Sequence, residues 1–231
     1  MEFDFKEFTE KFDNSRKKIC RDIYNENQES IKIKNEERAV ENLDRIFKAV
    51  FSISSKKGFQ AMSMRDLSKE SGMSMGALYG YFKNKKDLLA IIQRQGRAMI
   101  KNVLDAFSII SEDPCKRLRS AIKAHIFLSE LARPWFFFTF MEARNLSKAE
   151  LEEVRELEAY TENILVEILL LGEEKKIFKK KNHYLTASII KAMQQDWYLK
   201  RGKYSLRKIT PDEFAESVIE FVESFCFESS A

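Results

Sequence analysis

Proline and glycine are scarce in this chain of 231 residues, at three and seven. So few breakers exclude a turn-dense β-sandwich or barrel. Cysteine is equally sparse: Cys20, Cys115 and Cys226 are odd in number and far apart, which excludes a disulfide framework and a C-x-x-C metal pair. The two histidines, His125 and His183, lie in no H-E-x-x-H or Cys/His cluster, so neither a metal nor a cofactor is expected. Long apolar runs are missing as well. The longest, Ile164 to Leu171, is interrupted by Glu167 and falls short of the ~20 residues that span a bilayer, so no membrane association is expected. Asp4, Glu7 and Glu10 among the first phenylalanines depart from the basic-then-apolar plan of a secretory signal, and a cytoplasmic protein is expected. A G-x-x-x-x-G-K-[ST] loop, a nucleophile-base array and a paired catalytic carboxylate motif are lacking, so the chain is not expected to be an enzyme.

What the chain does contain is 44% hydrophobic and 33% charged residues, rich in Leu, Glu, Lys and Ala. That balance implies an all-α globular fold. The net charge of +4 is unevenly placed: residues 36–95 carry eleven Lys/Arg against seven Asp/Glu, whereas residues 1–35 and 96–231 are each balanced. A localised basic excess is the electrostatic footprint of a surface that meets phosphates, although a modest one also fits plain solvation.

Val40, Leu43, Phe47, Val50 and Phe51 fall on one face of a helix over about 36–54, stopped by Gly58. Ser63 with Asp66 three residues on forms a capping box for a short helix that ends at Ser71-Gly72. Ser74 caps the next helix, which Leu78 and Phe82 hold inward, so the two short helices make a helix-turn-helix. A long rod from Asn84 towards Leu104 follows. Further helices start at Pro114, Pro134, Ser147-x-x-Glu150, Asn182 (ending near Arg201, with Gly202 as its stop) and Thr210-Pro211-Asp212-Glu213. Residues 1–35 are expected to contain a helix over about Asp4 to Asn25 whose apolar face is Phe3, Phe5, Phe8, Phe12, Ile19 and Ile23. It reads as a packing or partner element, while Arg16, Lys17, Lys18 and Arg21 form a basic patch suited to phosphates.

The stretch Gly58 to Leu89, GFQAMSMRDLSKESGMSMGALYGYFKNKKDLL, resembles the DNA-binding domain of the TetR family of transcriptional regulators. The resemblance covers residues 36–95 strongly and rests on Ser63-x-Arg65-Asp66-Leu67, the Gly72-Met73-Ser74 turn and the Leu78-Tyr79-x-x-Phe82-Lys83-Asn84-Lys85 run. It implies an N-terminal three-helix helix-turn-helix domain (36–83) joined to a C-terminal helical ligand-binding and dimerisation domain (84–231), with 1–35 as an extra helical extension. It further implies a homodimer on a palindromic operator in double-stranded DNA. Ser74, Met75, Gly76, Ala77, Gly80 and Tyr81 would then face bases or backbone, while Ser63, Arg65, Tyr79 and Lys85 would hold phosphates. Gly80 departs from the commonest family pattern, in which a side chain projects there. It permits close approach to DNA or is simply tolerated in a short helix.

The run Trp135 to Met141 surrounds its helix with apolar side chains and must be buried, as plain core or as the wall of a cavity. The expected cavity wall is Phe138, Met141 and Tyr160 with Met193 and Trp197, and Arg144 and Gln194 could orient a ligand. Glu142-Ala143-Arg144 and the Glu173 to Phe178 stretch resemble segments of acyl-CoA-responsive family members. That resemblance implies a small apolar ligand of the acyl-CoA type, with an aromatic compound as the alternative, and Glu142 and Arg144 equally suit an ion pair. The apolar stripes Leu185, Ile189, Met193, Trp197 and Phe214, Val218, Phe221, Val222, Phe225 are expected to form the dimer interface. The function expected is a ligand-responsive regulator, a repressor released by its ligand; the alternative is a DNA-bound architectural or adaptor protein whose C-terminal helices bind another protein.

Overall fold

Residues 3–11, 16–108 and 111–227 are described by a computed structural model of the chain. Twelve α-helices follow one another among them: α1 Phe5–Lys11, α2 Arg16–Glu26, α3 Glu36–Lys57, α4 Met64–Ser71, α5 Met75–Leu78, α6 Lys85–Ser108, α7 Pro114–Leu131, α8 Arg133–Glu142, α9 Lys148–Glu174, α10 His183–Leu199, α11 Arg201–Leu206 and α12 Pro211–Cys226. A 3-10 turn, Ala143–Asn145, separates α8 from α9. The described residues contain no strand, only an isolated antiparallel bridge between Phe178 and Phe227. Local capping chemistry sets most of the boundaries. Asn35, Ser63, Ser74, Asp113, Asn182 and Thr210 each accept a first-turn backbone N–H through a side-chain oxygen. Ser63 and Thr210 close complete boxes with Asp66 and Glu213.

The chain divides into two units. The first contains residues 13–97 and 134–151. In it α2 packs along α3, and α3 along α4. Val40, Leu43, Ile46, Phe47, Val50, Leu67, Leu78 and Phe82 are buried. Helix α8 belongs here too. Trp135 lies 5.2 Å from Phe47 and 5.1 Å from Phe51, and Phe138 lies 5.5 Å from Phe51 and 5.4 Å from Phe59, ring centre to ring centre. The expectation that the whole aromatic run is buried needs correction, because Phe137, Phe140 and Met141 are exposed while Trp135, Phe136 and Phe138 are core.

The second unit contains residues 1–12, 98–133 and 152–231. Helices α10 and α12 pack on α7 and on each other, and α1 also lies on α7. Phe3 and Phe8 are buried against Phe107 and Phe127, while the Phe5 N–H donates to Asp212 Oδ1 at 2.9 Å. The expected helix over Asp4 to Asn25 is therefore two helices, one in each unit; its Phe12 lies outside the described residues. Gly202 does not stop a helix either: α10 ends at Leu199 and Gly202 lies within α11.

Candidate nucleic-acid interface and buried cavity

Helices α4 and α5 are joined by a turn that their own residues enforce. Gly72 takes the left-handed conformation (φ 65°), which its lack of a Cβ permits without strain, and its N–H returns to α4 carbonyls. Arg45 on α3 clamps the turn from outside, donating from Nη2 to the carbonyls of Ser71 at 2.7 Å and Gly72 at 3.2 Å. Ser68 Oγ donates to the Met73 carbonyl at 2.6 Å. Ser74 then caps α5 by accepting the Ala77 N–H at 3.2 Å.

This framework leaves Ser63, Arg65, Ser74, Gly76 and Tyr79 exposed, with Met75, Ala77 and Lys85 half-buried. They form one surface around α5. Two expected members are not on it. Gly80 is buried, and Tyr81 is 1% exposed with its hydroxyl accepting from Asn42 Nδ2 at 2.8 Å, so the Tyr81 side chain faces the core and not a ligand on the surface. Burial holds its phenol above the usual tyrosine value. Ser63 is constrained as well. Its hydroxyl donates to Asp66 Oδ2 at 2.7 Å while accepting the Asp66 N–H, which leaves it no second hydrogen for a phosphate. Asp66 is kept strongly acidic by Lys57, whose ammonium lies 2.8 Å away, and by Ser63. Lys85 donates to the Gln60 carbonyl at 2.8 Å and sits 4.9 Å over the Phe59 ring; burial lowers its ammonium below the usual value. One of its three N–H groups is thus used, and the others remain for an anion.

In the other unit a small, partly open pocket of about 10 Å³ is lined by residues of α6, α7, α9 and α10. Leu104, Ala121, Ile164 and Leu165 supply apolar wall; His125, Thr161, Lys191 and Gln194 supply polar groups. Lys191 Nζ donates to Thr161 Oγ1 at 2.8 Å, and burial pulls its ammonium down to about 8 against partial support from Glu158 and Glu162. Burial and the Lys191 charge together hold the His125 imidazole well below its usual value, hence neutral. Gln194, 1% exposed, has no hydrogen-bond partner at Oε1.

Of the residues expected to line a cavity, Gln194 is the one that lines this pocket. Phe138 packs on Phe51 and Phe59, and Met141 and Arg144 are exposed on and after α8 in the first unit. Tyr160 donates to Asp105, Trp197 stacks on Phe214 and Tyr204, and Met193 is half-buried elsewhere on α10. Glu142 is buried and accepts from the Phe59 N–H and from Asn145, rather than pairing with Arg144. Lys191, Thr161 and His125 were the residues missed. The signal for Lys191 was its place on a stripe with Ala187, Gln194 and Tyr198, where a lysine on a buried face needs a reason.

The expected dimer residues separate into two groups. Leu185, Ile189, Phe221 and Phe225 are 57%, 50%, 70% and 48% exposed, an apolar face on α10 and α12. Val218 and Val222 are buried within the unit, and Phe214 packs on Trp197, so these three serve the intramolecular core.

Two family models match the sequence: residues 46–92 match "Bacterial regulatory proteins, tetR family", and residues 111–222 match "Tetracyclin repressor-like, C-terminal domain". The chain belongs to the TetR family. Among the proteins it resembles is the HTH-type transcriptional regulator SAB2452 of Staphylococcus aureus (strain bovine RF122 / ET3-1), 34% identical over 76 residues. That match covers 32% of this chain and 39% of the relative, so it spans well under half of the relative's length. A tetR-family regulatory protein from Rhodococcus RHA1 superposes with a TM-score of 0.71 at 21% identity, over 81% of this chain and 98% of that one. AibR in complex with isovaleryl coenzyme A and operator DNA gives 0.67 at 19% identity, over 78% and 97%. At such identities the structures establish the shared fold: a helix-turn-helix followed by a helical C-terminal domain.

Proposed function

We propose that the protein is a ligand-responsive transcriptional regulator that binds a palindromic operator as a homodimer and releases it when a small molecule fills the α6, α7, α9 and α10 cavity. The observation that carries the DNA-binding part is α5 itself, a capped helix held by the Arg45 clamp with Gly76 and Tyr79 exposed. Placed in a major groove, Met75, Gly76 and Ala77 would meet base edges, and Arg65, Tyr79 and Lys85 would meet phosphates. The surface has no Asn, Gln or Arg at the base-facing positions for bidentate readout, so thymine methyl groups and DNA shape would carry much of the preference. A second copy would cover Leu185, Ile189, Phe221 and Phe225, and the resulting two-fold axis would set half-sites roughly 34 Å or somewhat more apart.

The cavity chemistry supports a ligand with a hydrogen-bond acceptor, anionic or carbonyl, against Lys191, a donor or amide partner against Gln194, and a short apolar body against Leu104, Ile164 and Leu165. About 10 Å³, room for roughly one water molecule, is far below the roughly 300–1,000 Å³ usual for ligand sites, so any organic ligand would have to part the helices. A short carboxylate or short acyl group would demand the smallest opening. Differential binding worth 1–3 kcal/mol would change operator affinity about 5- to 150-fold.

The test is selection of duplexes from a randomised library by the full-length protein, then titration of the selected complex with carboxylates and acyl-CoAs of rising chain length. Enrichment of a palindrome, and release by short members that Lys191→Met abolishes, is the expected result. A library with no enriched sequence would overturn the DNA-binding reading; release that ignores Lys191→Met and Gln194→Leu would overturn the cavity reading.

A further inference from the structure

Gly80 follows α5 one turn after Gly76, and its backbone does not demand glycine: the positive-φ glycines of the described residues are Gly58 and Gly72. What excludes a side chain is space. A Cβ at Gly80 would lie 2.8 Å from Ile33 Cδ1 and 3.1 Å from the Ala77 carbonyl, whereas a Cβ at Gly76 would meet nothing within 4 Å. The intruding atom comes from the segment joining α2 to α3. That segment is also hydrogen-bonded to the end of α5, because the Lys32 N–H donates to the Gly80 carbonyl at 2.9 Å and satisfies an acceptor that the short helix leaves over.

The segment is anchored at both sides of this contact. Ile31 is 1% exposed, the Tyr24 hydroxyl donates to the Lys34 carbonyl at 3.1 Å, and the Ile31 N–H donates to the Asn27 carbonyl at 2.9 Å. Asn27 in turn accepts from Arg94 on α6 at 2.8 Å. Burial alternates along it: Ile31 inward, Lys32 exposed, Ile33 half-buried, Lys34 exposed. Of the acidic neighbours, Glu36 is engaged by Arg21 at 2.9 Å. Two exposed ammonium groups and one apolar end thus border the surface that carries Gly76 and Tyr79.

We propose that residues 32–34 are part of the DNA-reading surface, with Ile33 supplying beside Gly80 an apolar base contact beyond those of Met75 and Ala77, and Lys32 and Lys34 meeting the adjoining phosphates. The inference rests on the reading of α4 and α5 as the DNA-binding element. A methyl-bearing side chain at the end of a recognition helix suits the C5-methyl of thymine, and an ammonium beside it suits the backbone of the same groove. Lys32 has a double part, since its N–H holds Gly80 while its side chain is turned to solvent.

The experiment uses the full-length protein and a randomised duplex library. Lys32→Ala keeps the N–H that bonds Gly80, so it removes the ammonium alone. The double variant Lys32→Ala/Lys34→Ala is expected to weaken all duplexes and to flatten the slope of log affinity against log salt by about 2, near one unit per phosphate contact. Ile33→Ala is expected to reduce discrimination at one base pair of each half-site, roughly fourfold per methylene removed. Gly80→Ala displaces the flexible end of Ile33 without touching its backbone and should change the same base pair. An Ile33 that only props up the helix would lose affinity evenly across sequences, and that result overturns the base-contact assignment. Unchanged motif, affinity and slope in variants whose thermal melting matches the parent overturn the whole inference while leaving DNA binding by α4 and α5 intact. A parent protein that enriches no motif overturns both.

Discussion

A Cβ on Gly172 would lie closer than 3.0 Å to three atoms of the Phe178 ring. The chain turns back there: Lys176 adopts φ 56°, the Phe178 N–H donates to the Gly172 carbonyl, and the ring, 1% exposed, stacks 5.3 Å from Phe227. A bridge between Phe178 and Phe227 then ties the end of α12 to this corner. Gly172→Ala should therefore destabilise the fold by ~1–3 kcal/mol, the usual cost of overpacking a filled site. Chemical denaturation reads it, and an unchanged midpoint would mean that the ring swings aside without loss.

Lys191 makes stability depend on alkaline pH. Its folded-state value of about 8 lies below the ordinary 10.5, so between these values the unfolded chain holds more protons and stability rises with pH. Below pH 8 the cost of burying the charge, about 3 kcal/mol at ~1.4 kcal/mol per unit, is present in full. Lys191→Met should stabilise the protein at pH 7 by up to about that amount, with the gain shrinking towards zero above pH 10.5. Denaturation curves at pH 7 and pH 10 decide it; an equal difference at both would refute the assignment.

Tyr81→Phe removes the hydroxyl that accepts from Asn42 and leaves a half-buried amide donor short of a partner. A loss of ~1 kcal/mol in stability is expected, with the selected DNA motif unchanged. A shifted motif would put the Tyr81 side chain at the DNA after all. Tyr79→Ala, by contrast, should weaken every duplex, because Tyr79 is 43% exposed beside α5.

Phe221→Glu and Ile189→Glu place charges on the exposed α10 and α12 face, and each should yield a folded monomer in sedimentation experiments. Val218→Glu should unfold the second unit, because Val218 is 5% exposed inside it and an unpaired carboxylate cannot be accommodated there. Dimers that survive both surface substitutions would locate the interface elsewhere.

What was legible in the sequence was mostly local. Ser63 with Asp66, Ser74, Thr210 with Glu213, and the Gly72 turn each act within a few residues, so the spacing alone reveals them. Partnerships across the chain were not legible. An apolar stripe such as Val218, Phe221, Val222 and Phe225 does not say which members face the chain's own core and which face outward. Likewise, the aromatic run in α8 announces that it needs burial but not that Phe47, Phe51 and Phe59 provide it. The part-polar cavity was hidden because its lining comes one to three residues at a time from α6, α7, α9 and α10.

The steric pairing of Ile33 with Gly80 places two distant positions under one constraint. A relative that carries a large residue at the position of Gly80 cannot also carry a chain as long as isoleucine in the same pose at the position of Ile33. The two sites should therefore change together as sequences diverge: glycine with a bulky linker residue, or a bulky helix residue with a short linker residue or none. A truncation or fusion that ends inside residues 28–35 would break that inherited match and would also strip α1 and α2 from the cores they fill, so a substitution at Ile33 or Gly80 is the cleaner way to change which DNA the protein prefers without changing whether it folds.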